Sequence, residues 1–440
     1  MPIEKTSPAA NQRSSAFLVL MGCALVIPLV ASTCLAAGFE GIGEAPSSVI
    51  EPAAASANTP LPGPFPLFPA SNWWNQDISA APVDTSSAAF ITFIGATKSL
   101  HPDFGGDVSP GSDQGYGFPY IVVDKTQTRL AVDFPPSYRP ECDGVNPTTL
   151  VSFPFYPIPP AAATTAHWVE GGDKGNVDRR ASEDRHILVV DRDQKFLYEL
   201  WNCWYDGTKW QCGSGAFFDM NASDRRPETW TSADAAGLAI LPGLVRYDEA
   251  FGTEEIGHAF RVTLRAANGF VWPASHEAGT TTGALPMGAR LRLKATKDIS
   301  TFTSEVQRIF RAMKKYGLIM ADNGTDLYIS GTYDNRWDNG ILNPAFGALK
   351  ASDFEVIQRG WPPENLRRDR SVTSLYPVTP ALSTILPLNS LDNYIAPVHT
   401  EDNDPQAVLT DNAHPLIFYD LDGPAELHLR KSGSTVKIVF

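Results

Sequence analysis

From Phe68 to about Glu355 the chain is a succession of short apolar runs separated by Gly, Pro, Asn and Asp. That rhythm predicts strands joined by turns rather than long helices. The runs that read as strands are Tyr120–Val123, Arg129–Phe134, His186–Val190, Phe196–Trp204, Ala216–Asp219, Ala259–Leu264, Gly269–Trp272, Ala289–Leu293 and Asp326–Ser330. One segment departs from the rhythm. Val306, Ile309, Phe310 and Met313 recur at helical spacing, with Ser304 and Gln307 placed as a capping box and Gly317 as a C-terminal stop. Arg311, Lys314 and Lys315 suit the negative end of that helix. The predicted fold is mainly β, a jelly-roll-like sandwich or a barrel, with one amphipathic helix packed on the sheet. No internal repeat is visible, so neither a propeller nor a solenoid is expected.

The two ends read differently. Lys5 and Arg13 precede an apolar run from Ala16 to Val30 and then small residues, the layout of a secretory signal cleaved after Ala36 or Ala37. The expected organisation is a signal peptide at 1–36, an Ala/Pro/Ser-rich tether at 37–65, a main β-rich domain at 66–365 and a C-terminal extension at 366–440. That extension reads as an edge β unit, entered through a basic patch at Arg367, Arg368 and Arg370. The implied location is extracellular or in the cell envelope, with no stable membrane insertion once the signal is removed. Cys23 and Cys34 would leave with the signal. Cys203 and Cys212 flank an Asp206–Gly207 turn and should lie opposite each other in a hairpin, close enough for a disulfide; Cys142 remains as a buried free thiol.

Charge narrows the partners. With 49 acidic against 35 basic side chains and a formal charge of −14, the chain lacks the basic stripe that phosphate backbones need, so no nucleic-acid partner is expected. Phosphate-binding glycine loops, the His-Glu-x-x-His zinc motif and a nucleophile elbow are all missing.

Seven stretches between Asp184 and Gly324 form a recognisable set: DRHILVVD (184–191), TSADAAGL (231–238), LPGLVRYDE (241–249), IGHAFRV (256–262), WPASH (272–276), PMGARLRLK (286–294) and KYGLIMADNG (315–324). Together they resemble a group of secreted, β-rich proteins of no settled reaction. The resemblance implies one globular unit and transfers no catalytic role.

Candidate chemistry lies in polar residues at strand ends among aromatics. Asp219, Asp322, His258 and His276 are the catalytic candidates, and Arg185, Trp272, Glu277 and Trp337 the substrate-binding ones. Two carboxyl groups across a cleft, one neutral and one ionised, are the minimum for glycoside hydrolysis, and tryptophan at loop positions suits sugar stacking. Against this stands ordinary turn chemistry, because Asp322-Asn323-Gly324 is an ideal turn. The expected function is a secreted glycoside hydrolase acting on a polysaccharide or oligosaccharide. Two alternatives are a non-catalytic glycan-binding or cell-surface protein, and a polysaccharide lyase using Arg246, Tyr247 and His258. No cofactor is predicted. A metal held by His186, His258 and His276, or calcium around Asp322, Asn323 and Asp326, is the alternative there.

Overall fold

The computed structural model describes residues 55–363 except residue 64, together with the backbone of five short strands between Arg370 and Val439. The signal region, residues 37–54 of the tether, and Arg367 and Arg368 lie outside the described residues. In chain order, the strands that position the site are β1 (Ser56–Ala57), β2 (His101–Asp103), β3 (Ile121–Val123), β4 (Ile187–Asp191), β5 (Phe196–Trp201), β6 (Ser214–Asp219), β7 (Phe260–Leu264), β8 (Arg290–Leu293), β9 (Leu318–Asn323), β10 (Tyr328–Ser330) and β11 (Phe354–Val356). The main helices are α1 (Ser87–Ile94), α2 (Ser304–Lys315) and α3 (Asn339–Gly347). The protein is mainly sheet, as the apolar rhythm indicates.

Two mixed sheets carry the architecture. The first runs β1-β3-β4-β5-β6, with β3 and β4 parallel and β4-β5-β6 antiparallel. Every residue of β4 is buried, which explains its unbroken Ile-Leu-Val-Val sequence. The second runs β11-β8-β9-β7-β10-β2, with parallel pairs β7–β9 and β10–β2. The sheets are stitched together where Phe118 pairs with Thr332 and Val245 with Gly331. In the C-terminal extension, Arg370–Ser371 pairs with Asp224–Arg225, while the other four strands pair among themselves in a sheet of their own.

Helix α2 forms where its periodicity places it and packs against β8. Val306, Ile309, Phe310 and Met313 are completely buried. Burying side chains of that size stabilises by about 1.5–3 kcal/mol each. The cap differs from expectation: Thr303 is the N-cap, and Gln307 instead donates its side-chain amide to the Phe302 carbonyl. The expected strand at Gly269–Trp272 is absent, leaving only isolated bridges at Asn268 and Phe270. Gly269 has φ +69°, which no extended strand contains, and Pro273 removes the next ladder donor. The run expected at Arg129–Phe134 narrows to Val132–Asp133, and Phe196–Trp204 breaks at Asn202, whose φ is +56°.

Cys203 and Cys212 are disulfide-bonded, nine residues apart, across the hairpin formed by Trp204–Tyr205 and Trp210–Gln211. Closing a loop of that length restricts the unfolded chain by about 3 kcal/mol. Cys142 is a buried free thiol, pushed up to about 12 by burial.

Candidate functional site

The site is built around the segment Thr231–Leu238, which touches almost every element that matters. Two buried side chains of the first sheet anchor it. Ser214 at the start of β6 donates its hydroxyl to the Ser232 carbonyl at 2.7 Å, and the Glu199 carboxylate in β5 accepts the backbone N–H groups of Ile240 and Leu241 at 2.8–3.0 Å. Between those anchors the segment turns sharply. Gly237 takes φ +73°, and a Cβ there would stand 2.0 Å from Ser275 Oγ, so only glycine lets the 272–276 loop close on it.

Residues that are distant in sequence meet on this segment. The Ala233 carbonyl faces His186 Nε2 at 3.0 Å, the Ala235 carbonyl faces His276 Nδ1 at 2.8 Å, and Ala236 N–H donates to the Ala321 carbonyl at 2.9 Å. Ala321 is available because the β7–β9 register slips: Val262 pairs with Met320, but Thr263 pairs with Asp322. The extra residue re-aims Asp322, as a bulge does at many sheet edges.

Asp234 is fully buried and held at both oxygens by Arg261, with Nε to Oδ2 and Nη2 to Oδ1 each at 2.8 Å. The same guanidinium donates to Ser330 Oγ at 2.8 Å and to Asp322 Oδ2 at 2.9 Å. One β7 side chain thus ties the segment to β9 and β10, and Asp103 of β2 lies one strand further, paired with Ser330. Such forked, charge-assisted bonds fix geometry as well as charge. Phe118, from the seam between the sheets, covers Arg261 at 5.6 Å and packs on His186 at 5.2 Å.

The protonation states follow from these partners. His186 Nδ1 meets Glu170 Oε2 at 2.5 Å while Nε2 meets a carbonyl, so both ring nitrogens face acceptors and the ring is held as a cation. Burial opposes that charge, but Glu170 outweighs it, and the imidazole is raised to about 9. Burial likewise opposes ionisation of Glu170, yet His186 holds its carboxyl below the ordinary value. Asp322 goes the other way. Burial, reinforced by the negative charge of Asp234, lifts it to about 7 despite Arg261. Burial also lifts Glu199 to about 7, against the pull of its two backbone donors. Asp103 is raised by burial and by Glu170, although its side chain is open to solvent. Solvent reaches Asp322 and Glu170 too, with 26% and 21% of their side chains exposed. The result is an acid-rich cluster in which one solvent-reached carboxyl is raised to about 7 while another is held below its ordinary value.

Of the residues singled out from sequence, Asp322 and His276 meet at this site. Asp322 also keeps a turn role, accepting Asn323 N–H at Oδ1. Asp219 does not join them. It ends β6, five residues and roughly 17 Å of strand beyond Ser214, and accepts both the backbone and side-chain N–H groups of Asn221. His258 is buried elsewhere, between Glu249 Oε2 at 3.1 Å and Arg246 Nη2 at 3.2 Å. Arg185 is placed differently from the expectation: it is wholly buried, and its two terminal nitrogens donate to the carbonyls of Glu170, Asp173, Lys174 and Val177, so it shapes the loop. Trp337 is corrected too, being packed on Phe104 with its N–H given to Thr332. Trp272 is half-buried against Trp73, and Glu277 is exposed. Of the ten tryptophans, Trp73, Trp74, Trp210 and Trp337 are buried in the apolar interior and the other six are half-buried. Among the described residues no three His, Cys, Asp or Glu side chains are grouped to hold a metal ion.

Sequence reasoning missed Asp103, Glu170, Glu199, Asp234 and Arg261. A signal existed for two of them: Glu199 and Arg261 are lone charges inside apolar strands, a costly placement that implies a dedicated partner. Asp234 and Glu170 lie in loops where an acid is unremarkable. No helix among the described residues is long and apolar enough to cross a membrane. Comparison with protein-family models, with curated proteins and with solved structures gives no match.

Proposed function

We propose that the chain is an exported glycoside hydrolase in which Asp322 is the proton donor and Glu170 the ionised partner. The observation that carries the reading is their opposite displacement: two solvent-reached carboxyls share the field of Arg261 and His186, one raised to about 7 and the other lowered. Separated values of this kind assign acid and base. The Asp322 carboxyl would pass its proton to the glycosidic oxygen as the C–O bond breaks, and Glu170 would face the sugar carbon or its attacking water. Glu170 Oε1 takes none of the bonds that tie Oε2 to His186. Arg261 and His276 position the acid and its supporting segment. The Cys203–Cys212 bond supports an oxidising compartment.

The test is release of reducing ends by the full chain from a panel of neutral and acidic polysaccharides. Asp322→Asn should lower the rate roughly a hundredfold or more while the melting temperature stays close to wild type. Absence of reducing ends from every polymer, or an Asp322→Asn variant at the wild-type rate, would sink the reading. An unsaturated, ultraviolet-absorbing product would mark a lyase instead.

A further inference from the structure

A concavity of about 520 Å³ is lined by none of the residues gathered around Asp322 and Glu170. Its apolar wall includes Leu61, Phe65 and Tyr120, and its floor holds the trio Arg246, Glu249 and His258. The size suits a small-molecule site, and a few converging polar groups in an apolar setting are the usual mark of one. The trio is tightly bound together: Arg246 Nη2 donates to Glu249 Oε1 at 2.7 Å, and His258 closes on Oε2. Burial opposes ionisation of Glu249, yet its two basic neighbours bring it down to about 2.

Two features remain unexplained by packing. Arg246 is 5% exposed, and its Nε is buried without an acceptor. A buried donor left unpaired costs roughly 1–3 kcal/mol, so an acceptor from outside would recover energy. Phe65, half exposed, lies over the same guanidinium at 5.6 Å, where it presents apolar surface at the mouth.

Charge then selects the ligand. Asp248, Glu249, Glu254, Glu255 and Asp334 all line the concavity, so an anion is repelled; a cation finds most of them taken, Glu249 by Arg246 and His258, Asp248 and Asp334 by Arg336, and Glu255 by Arg311. A purely apolar ligand would bury the trio without answering the Nε–H. A molecule with hydroxyls can donate to the carboxylates, accept from Arg246 and lay C–H surface on Phe65. From this elimination we infer that the pocket is a binding site for one or two residues of a neutral sugar, separate from the proposed hydrolytic site.

Saturation-transfer NMR on the full chain reads this directly, using glucose, galactose, mannose and N-acetylglucosamine as probes and glucuronic acid as the charged control. At least one neutral probe should receive saturation, and glucuronic acid should not. Arg246→Lys keeps the charge but removes the Nε–H, and should weaken binding roughly tenfold. Phe65→Ala, a change at an exposed position, guards against a folding defect and should also weaken it. Asp322→Asn should leave it unchanged, which separates this site from the proposed hydrolysis whichever of the two fails. No saturation from any neutral probe, or binding unaltered in both pocket variants, or binding lost in Asp322→Asn, would overturn the inference.

Discussion

Replacing Arg261 by methionine would strand Asp234. In the native protein both oxygens of that fully buried carboxylate are taken by one guanidinium, and Ala235 N–H adds a longer bond at 3.2 Å. Removing one partner of a buried pair typically costs 3–5 kcal/mol, because the remaining charge has lost both counter-ion and water. The Ser330 bond is lost as well, so about 4 kcal/mol is expected, a large share of the 5–15 kcal/mol that usually holds a domain together. Much of that cost belongs to the orphaned charge rather than to the missing attraction. Asp234→Asn combined with Arg261→Met should therefore recover about half of it. Equilibrium urea unfolding measures both variants, and equal slopes show that the states compared are the same. A single variant costing less than about 1 kcal/mol, or a double variant no more stable than the single one, would refute the account of Arg261 as the tie between segment and sheet.

Two further outcomes rest on titration. If Asp322 donates the proton, the hydrolytic rate should bend downward near pH 7, falling about tenfold per unit above it, because the donor is then ionised. A rate constant through pH 9 would exclude Asp322 as the acid. Glu199 speaks to stability. Its folded carboxyl holds the proton to about 7 against an ordinary 4.5, so the unfolded chain releases that proton first as pH rises. This group's contribution therefore declines by about 3 kcal/mol between those values and is flat beyond them. Measured by urea unfolding, Glu199→Gln should gain on wild type by about that amount between pH 5 and pH 8. A constant difference at both pH values would show that Glu199 does not titrate in that range.

The order of polar and apolar positions determined many of the stretches that became strand and helix, though α1 and α3 were not read from it and the run at Gly269–Trp272 formed no strand. Alternation or an unbroken Ile-Leu-Val-Val run needs only local backbone geometry to be read, and the i, i+3, i+4, i+7 stripe from Val306 to Met313 needs only helical pitch. The Cys203–Cys212 bond was legible for the same reason, since a tight turn brings two near neighbours face to face. Tertiary structure alone decided the site. Asp234, Arg261 and Asp322 are joined because a parallel pairing of β7 with β9, one residue out of step, aims side chains from two remote stretches at the Thr231–Leu238 segment that carries Asp234. Neither a parallel partner nor a slipped register leaves a trace in local periodicity. Burial acted in the same non-local way. It drew Arg185 and Trp337 into the interior, and it raised Asp322 to about 7, above the value the same residue would have in an open turn.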